Sequence, residues 1–256
     1  MGPEVRRTRV LRLHIVNPNT TASMTQGIAQ AARAVAPADV EISSTQPDFG
    51  PASIEGFYDG AFAVPGMLAC IREAERAGTD AHLIACFDDT GLDAARSLAE
   101  APVIGIGEAA YHAASMIGTR FTVVTTLARS IPVIEDNLAR YGLARRCGRV
   151  RASEIPVLEL EGEGGEAKIG DEIARALKED GADTIVLGCA GMAGMADRLS
   201  NHYRVPVVDG VAAGVAFATA LARLRLRTSK AGGYAAPGPK TYAGLFSPFA
   251  PRRSAD

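Results

Sequence analysis

A chain of 256 residues, 47% of them hydrophobic, can bury a substantial core as one large α/β domain or two small ones. Its 27 Lys and Arg and 29 Asp and Glu are spread along the sequence, which leaves no electrostatic footprint for nucleic acid or a membrane surface and favours a small-molecule partner. Four cysteines, too sparse and irregular for a disulfide framework or a zinc site, predict free thiols in a reducing cytoplasm; MGPEVRRTRV is too short and charged for a secretory signal, and no stretch is apolar enough to cross a bilayer.

The first apolar run, Val10 to Val16, is rich in branched residues and stops at Asn17-Pro18, as a buried strand does on meeting a loop. Met24, Ile28, Ala31 and Val35 then share a helical face, with Thr20 or Thr21 as N-cap and Pro37 as the stop. A strand over Val40 to Ser44 leads into a long loop from Gln46 to Gly60. A helix from about Val64 to Ala77 follows, closed by Gly78, then strand Ala81 to Ala85, helix Asp93 to Ala99 and strand Val103 to Ile106.

A second series begins with helix Glu108 to Ile117, strand Phe121 to Thr125, and a helix opened by Ser130 and Pro132. An edge-like strand near Val150 precedes a helix carrying Ile169, Ile173 and Leu177, strands Thr184 to Leu187 and Val205 to Val208, and a last helix, Val211 to Leu224. Strands alternating with helices predict parallel pairing, right-handed crossovers and functional loops at the strand C-terminal ends. Strand ends bearing Asn17 and Cys86 in one half match strand ends bearing Thr126 and Cys189 in the other at similar spacing, which predicts two related lobes facing across a cleft. The expected division is 9–106 plus 211–228 for the first lobe, 107–210 for the second, and 229–256 as a Gly/Pro-rich tail without a packed element, although its aromatic residues could dock.

Cys86 and Cys189 each end a predicted strand just before a helix, where helix N–H groups would favour thiolate and lower the thiol pKa. One free cysteine is most often a small buried hydrophobe. Two at equivalent points of matching halves are what a two-base racemase needs, one thiolate removing a proton from one face and the opposite thiol returning one to the other. Cys70 reads as core and Cys147 as a surface edge. His14, His82, His112 and His202 lack metal-ligand spacing, and neither GIGEAA nor GCAGMAG completes a dinucleotide or phosphate-binding fingerprint, so neither metal nor cofactor is predicted.

The segments HIVNPNTTASMT, ACFDDTGLDAAR, FTVVTTLARSIPVIEDNL and VLGCAGMA, in this order from about Arg12 to Leu224, closely resemble the hydantoin racemases of the aspartate/glutamate racemase superfamily. The resemblance implies two Rossmann-like (flavodoxin-like) lobes related by pseudo-twofold symmetry, an active site between them, a homo-oligomer, and cofactor-independent racemisation by Cys86 and Cys189. It also implies substrate contacts from Asn17, Ser53, Ile54, Thr125 and Thr126, and from backbone groups at Phe87 and Ala190. Turn formation and helix capping are the structural roles open to Asn17 and the two threonines. The expected substrate is a 5-substituted hydantoin, whose exchangeable C–H is acidified by a neighbouring carbonyl, with allantoin as the alternative. A lyase or isomerase of small dicarboxylates is the rival from another class and would need cations at the strand ends, with Arg96 and Arg129 the nearest. Retention of Cys86 argues against the decarboxylases of the superfamily, which keep the second-lobe cysteine alone.

Overall fold

The computed structural model describes residues 9–160 and 164–251. Eight strands form two four-stranded sheets, all of whose recorded pairings are parallel. In the first, β1 (Leu11–Val16), β2 (Val40–Thr45), β3 (Ala81–Ile84) and β4 (Val103–Gly105) lie in the order β2-β1-β3-β4. In the second, β5 (Phe121–Thr125), β6 (Cys147–Ala152), β7 (Thr184–Gly188) and β8 (Val207–Asp209) repeat that order as β6-β5-β7-β8. The α/β architecture and the related halves expected from the sequence are both present. β3, β5 and β7 are buried along their whole length, which is why they read as continuous apolar runs and not as alternating ones.

Of the helices of the first half, α1 (Ala22–Val35) packs on β2, while α2 (Phe57–Arg76) packs on β1 and on α3 (Leu92–Leu98). In the second half, α5 (Ile131–Arg140) packs on β6, α6 (Gly165–Glu179) on β5 and β6, and α7 (Ala196–Tyr203) on β8. Two helices change sides. α4 (Ile106–Ile117) leaves the first sheet and packs on β7, whereas α8 (Gly210–Arg223) leaves the second sheet and packs on β3 and β1. They meet each other along the middle, where Gly214 of α8 lies so close to the Leu83 side chain that a Cβ would collide with it. The exchange makes one apolar core continuous from Leu13 and Leu83 through fully buried Tyr111 to Phe121 and Val186. Tyr111 stacks on Phe121 and takes Phe87 edge-on, with ring centroids 6.3 and 5.2 Å apart.

Two elements differ from the sequence reading. Helix α2 starts at Phe57, inside the expected loop, because Gly56 turns the chain at φ 103° and the Asp59 carboxylate accepts the Glu55 N–H at 3.0 Å. Pro65, which the sequence reading placed near a helix start, lies inside the helix. The exposed Phe57, Tyr58 and Phe62 erase the amphipathic signal of the first two turns. The tail is also more ordered than expected: Lys230 Nζ donates to the Arg96 and Ser97 carbonyls, Tyr234 Oη donates to Asp93, and Phe249 packs edge-on against Phe49. Residues 252–256 of the expected tail lie outside the described part.

Candidate active site

The C-terminal ends of β1, β3, β5 and β7 converge on one cleft, because all four strands run the same way in their sheets and the halves face each other there. Cys86, Phe87, Ile54, Thr125, Thr126, Cys189 and Ala190 line it, together with Asn19, Met24, Ala85, Asp88, Ser130, Val157 and Gly188. Of the expected residues, Asn17 and Ser53 are not part of this lining. The Asn17 amide is spent locally, donating to Asn19 Oδ1 at 2.9 Å and to Thr25 Oγ1 at 3.0 Å, so it shapes the turn that brings Asn19 to the cleft. Ser53 is half-buried beside Ile54. Thr125 is buried and its hydroxyl donates to the Gly188 carbonyl at 3.0 Å, tying β5 to the strand end that carries Cys189.

Gly191 N–H donates to Cys189 Sγ at 3.4 Å, and Cys86 Sγ lies 3.3 Å from Thr90 Oγ1. Neither cysteine stands at an α-helix N-terminus as the sequence reading expected. Cys86 is separated from α3 by a turn, and Cys189 leads into a single 3₁₀ turn, Ala190–Met192. The electrostatic outcome is reversed as well. Burial, then the Asp88 charge, raise Cys86 well above the ordinary thiol range in spite of its hydrogen bonds, and burial pushes Cys189 up to about 12.

The loop that presents Cys86 is pinned from below by Asp89, a residue in left-handed backbone at φ 49°. Its carboxylate accepts Gly107 N–H at 3.0 Å and Glu108 N–H at 2.8 Å at the start of α4, and the Tyr141 hydroxyl at 2.8 Å. Further bonds cross between the halves. Asn137 Nδ2 donates to the Asp88 carbonyl at 2.8 Å, and Val157 N–H donates to Glu55 Oε1 at 3.1 Å. With these ties made, the cleft holds about 30 Å³ of free space, room on the order of one water and far too little for a five-membered ring.

Asp88, Asn19 and Val157 were missed from the sequence. The adjacent acidic pair in ACFDDTG was the available signal for Asp88, since two carboxylates at a strand end are costly unless both are used. The remaining cysteines keep structural places: Cys70 is half-buried on α2 beside Thr45, and Cys147 opens β6 and donates to the Arg149 carbonyl at 3.2 Å. His14 and His82 are buried against each other, Nδ1 to Nδ1 at 3.0 Å. Among the described residues no cluster of His, Cys, Asp and Glu is arranged to hold a metal ion, and no helix is long and apolar enough to cross a membrane.

A family profile described as Asp/Glu/Hydantoin racemase matches residues 13–218. The chain is 50% identical over 236 residues to a hydantoin racemase of Rhizobium meliloti, an alignment covering 91% of this chain and 98% of that one. The structure is similar to that of an allantoin racemase from Klebsiella pneumoniae, with TM-score 0.91, 47% identity, and coverage of 94% of this chain and 100% of that chain. An allantoin racemase from Pseudomonas fluorescens follows, with TM-score 0.88, 42% identity, and coverage of 91% and 100%.

Proposed function

The chain belongs to the Asp/Glu/Hydantoin racemase family, and from that premise we propose that it is a cofactor-independent racemase of 5-substituted hydantoins in which Cys86 and Cys189 exchange the proton at C5. One observation carries the reading: two cysteines at equivalent strand ends of the two halves line one cleft. In one direction the Cys86 thiolate takes the C5 proton and becomes a thiol. The electron pair left on C5 delocalises into the neighbouring ring carbonyl, and the Cys189 thiol delivers its proton to the opposite face, ending as thiolate. The other enantiomer runs the same steps in reverse. Backbone N–H groups at Phe87 and Ala190 would hold the ring, with Ile54, Thr125 and Thr126, which line the same cleft, around it. A raised thiol pKa makes the thiolate scarcer but a stronger base, which suits removal of a weakly acidic C–H.

Allantoin, a hydantoin with a 5-ureido group, is the second reading, favoured by the likeness to the two allantoin racemase structures. A dicarboxylate substrate fits poorly. The described lining contains no Lys, Arg or His; Arg96 is committed to Glu108 at 2.6 Å, and Arg129 is exposed outside the lining. The exposed aromatic face formed by Phe57, Tyr58 and Phe62 on α2 supports a homo-oligomer.

The test uses single enantiomers of a 5-substituted hydantoin and of allantoin in deuterated buffer, following optical rotation and C5 proton exchange. Wild type should racemise at least one of them. Cys86→Ser and Cys189→Ser should each abolish racemisation, with exchange surviving for opposite enantiomers in the two variants. Racemisation at wild-type rate in both variants would refute the two-thiol mechanism.

A further inference from the structure

Asp88 stands two residues beyond Cys86 in the wall of the cleft. Its backbone carbonyl accepts Asn137 Nδ2 at 2.8 Å. Its carboxyl oxygen Oδ2 is buried without a hydrogen-bond partner among the described residues. Asp88 lines the same cleft as both thiols; burial pushes its carboxyl up to about 7, and its charge in turn raises Cys86 and Cys189. A buried acceptor left open at a site of this kind is one whose partner arrives with the ligand.

We propose that Asp88 determines substrate specificity by accepting a ring N–H of the bound ureide on Oδ2, so that the cleft selects rings with that N–H over N-alkylated ones. The inference rests on the racemase reading above and deepens it. Its physical appeal lies in symmetry. A racemase must hold both enantiomers with the same reacting carbon between the same two thiols, and the two enantiomers differ in the direction of the C5 substituent. The nearly planar ring edge is common to both. A single acceptor aimed at a ring N–H therefore anchors either enantiomer without favouring one, which contacts to the 5-substituent cannot do. Asp88 suits this position because it is carried on the same turn as Cys86, so the anchor and the reacting sulfur keep a constant relation.

The experiment uses 5,5-dimethylhydantoin, which has no C5 proton and binds without turnover, with its N1-methyl and N3-methyl derivatives, titrated calorimetrically into the full-length protein. Wild type should bind one of the two methylated rings at least about tenfold more weakly than the parent, and which one identifies the N–H that Asp88 reads. Asp88→Ala should weaken the parent to the level of that derivative, erasing the difference. Asp88→Asn, isosteric and retaining one acceptor oxygen, should leave a smaller difference of the same sign, and it decides the matter should the alanine variant fail to fold. Equal affinity of wild type for all three rings, or the same preference in wild type and in the folded Asp88 variants, would overturn the proposal. If wild type racemises hydantoins and the preference is nevertheless unaffected, this inference fails alone. If wild type neither racemises hydantoins nor binds the parent ring, the functional reading fails and takes this one with it.

Discussion

At the residue scale the two thiols sit where opposing effects can be ranked. The Gly191 N–H on Cys189 and Thr90 on Cys86 favour thiolate, while burial in the cleft and the Asp88 charge disfavour it. Burial wins at both. Because the thiol form predominates at neutral pH, the reactive thiolate grows about tenfold per pH unit until the raised pKa is approached. The expected outcome is that alkylation of Cys86 and Cys189 by iodoacetamide, read site by site by mass spectrometry, accelerates continuously from pH 7 to at least pH 10. A plateau below pH 8 would show that the closed cleft does not represent the thiols' working environment. Asn17 teaches the complementary lesson. The family resemblance implies a substrate contact from Asn17; in the structure its amide donates to Asn19 and Thr25, the turn role its residue type suggests, and Asn19 lines the cleft.

At the scale of elements, the loop between β3 and α3 carries Cys86 and Asp88, and it is held chiefly by Asp89. The gain is specific to the geometry: the start of α4 offers two unpaired amides and Tyr141 a hydroxyl, and one carboxylate satisfies all three. Gly105 and Gly107 are required beside it, since a Cβ on either would collide with the Asp89 side chain or the Phe87 carbonyl. Asp89→Ala should therefore cost roughly 3 kcal/mol in urea unfolding by leaving three donors unmatched. It should also lower kcat/KM, because the turn that presents Cys86 is released. Asp89→Asn, which keeps one acceptor, should recover part of both. A stability change within about 0.5 kcal/mol for the alanine variant would contradict this account of the loop.

At the scale of the whole molecule, global stability depends on buried polar groups far from the cleft. His14 and His82 bridge β1 and β3, with Thr45 Oγ1 2.8 Å from His14 Nε2 and Glu75 Oε1 2.9 Å from His82 Nε2. The Glu75 carboxylate can only accept here, so His82 carries its proton on Nε2 and receives the His14 Nδ1–H on Nδ1. His14 is thus held neutral. Burial, aided by His82, lowers its pKa to about 3. The unfolded chain, with a histidine near 6.5, binds the proton first, so stability present above pH 6.5 is lost as pH falls from there towards 3. By pH 5 the loss from this residue is on the order of 2 kcal/mol. Urea midpoints should fall between pH 7 and pH 5, and the fall should be shallower in His14→Gln even though that variant starts less stable. Equal slopes would assign the acid sensitivity elsewhere.

Much of this molecule was legible in the sequence alone. The βα alternation, the strand ends and the doubling of the halves follow from local periodicity and from Gly, Pro and Asn punctuation, which act within a few residues. The positions of Cys86 and Cys189 follow too, because a parallel strand's C-terminal end is itself a local feature. Periodicity starts helix α2 too late because the exposed Phe57, Tyr58 and Phe62 break it, and Gly and Pro conceal the tail's contacts made through Lys230 and Tyr234. Only the tertiary structure decided the rest: the exchange of α4 and α8 between the sheets, the place of Asn19 in the cleft lining, the open oxygen of Asp88 and the direction of the thiol shifts. These depend on desolvation and on partners brought together from distant parts of the chain, such as Asn137 against Asp88 and Val157 against Glu55. Burial energies of that kind are set by what surrounds a group in space, and a residue's neighbours in sequence do not specify it.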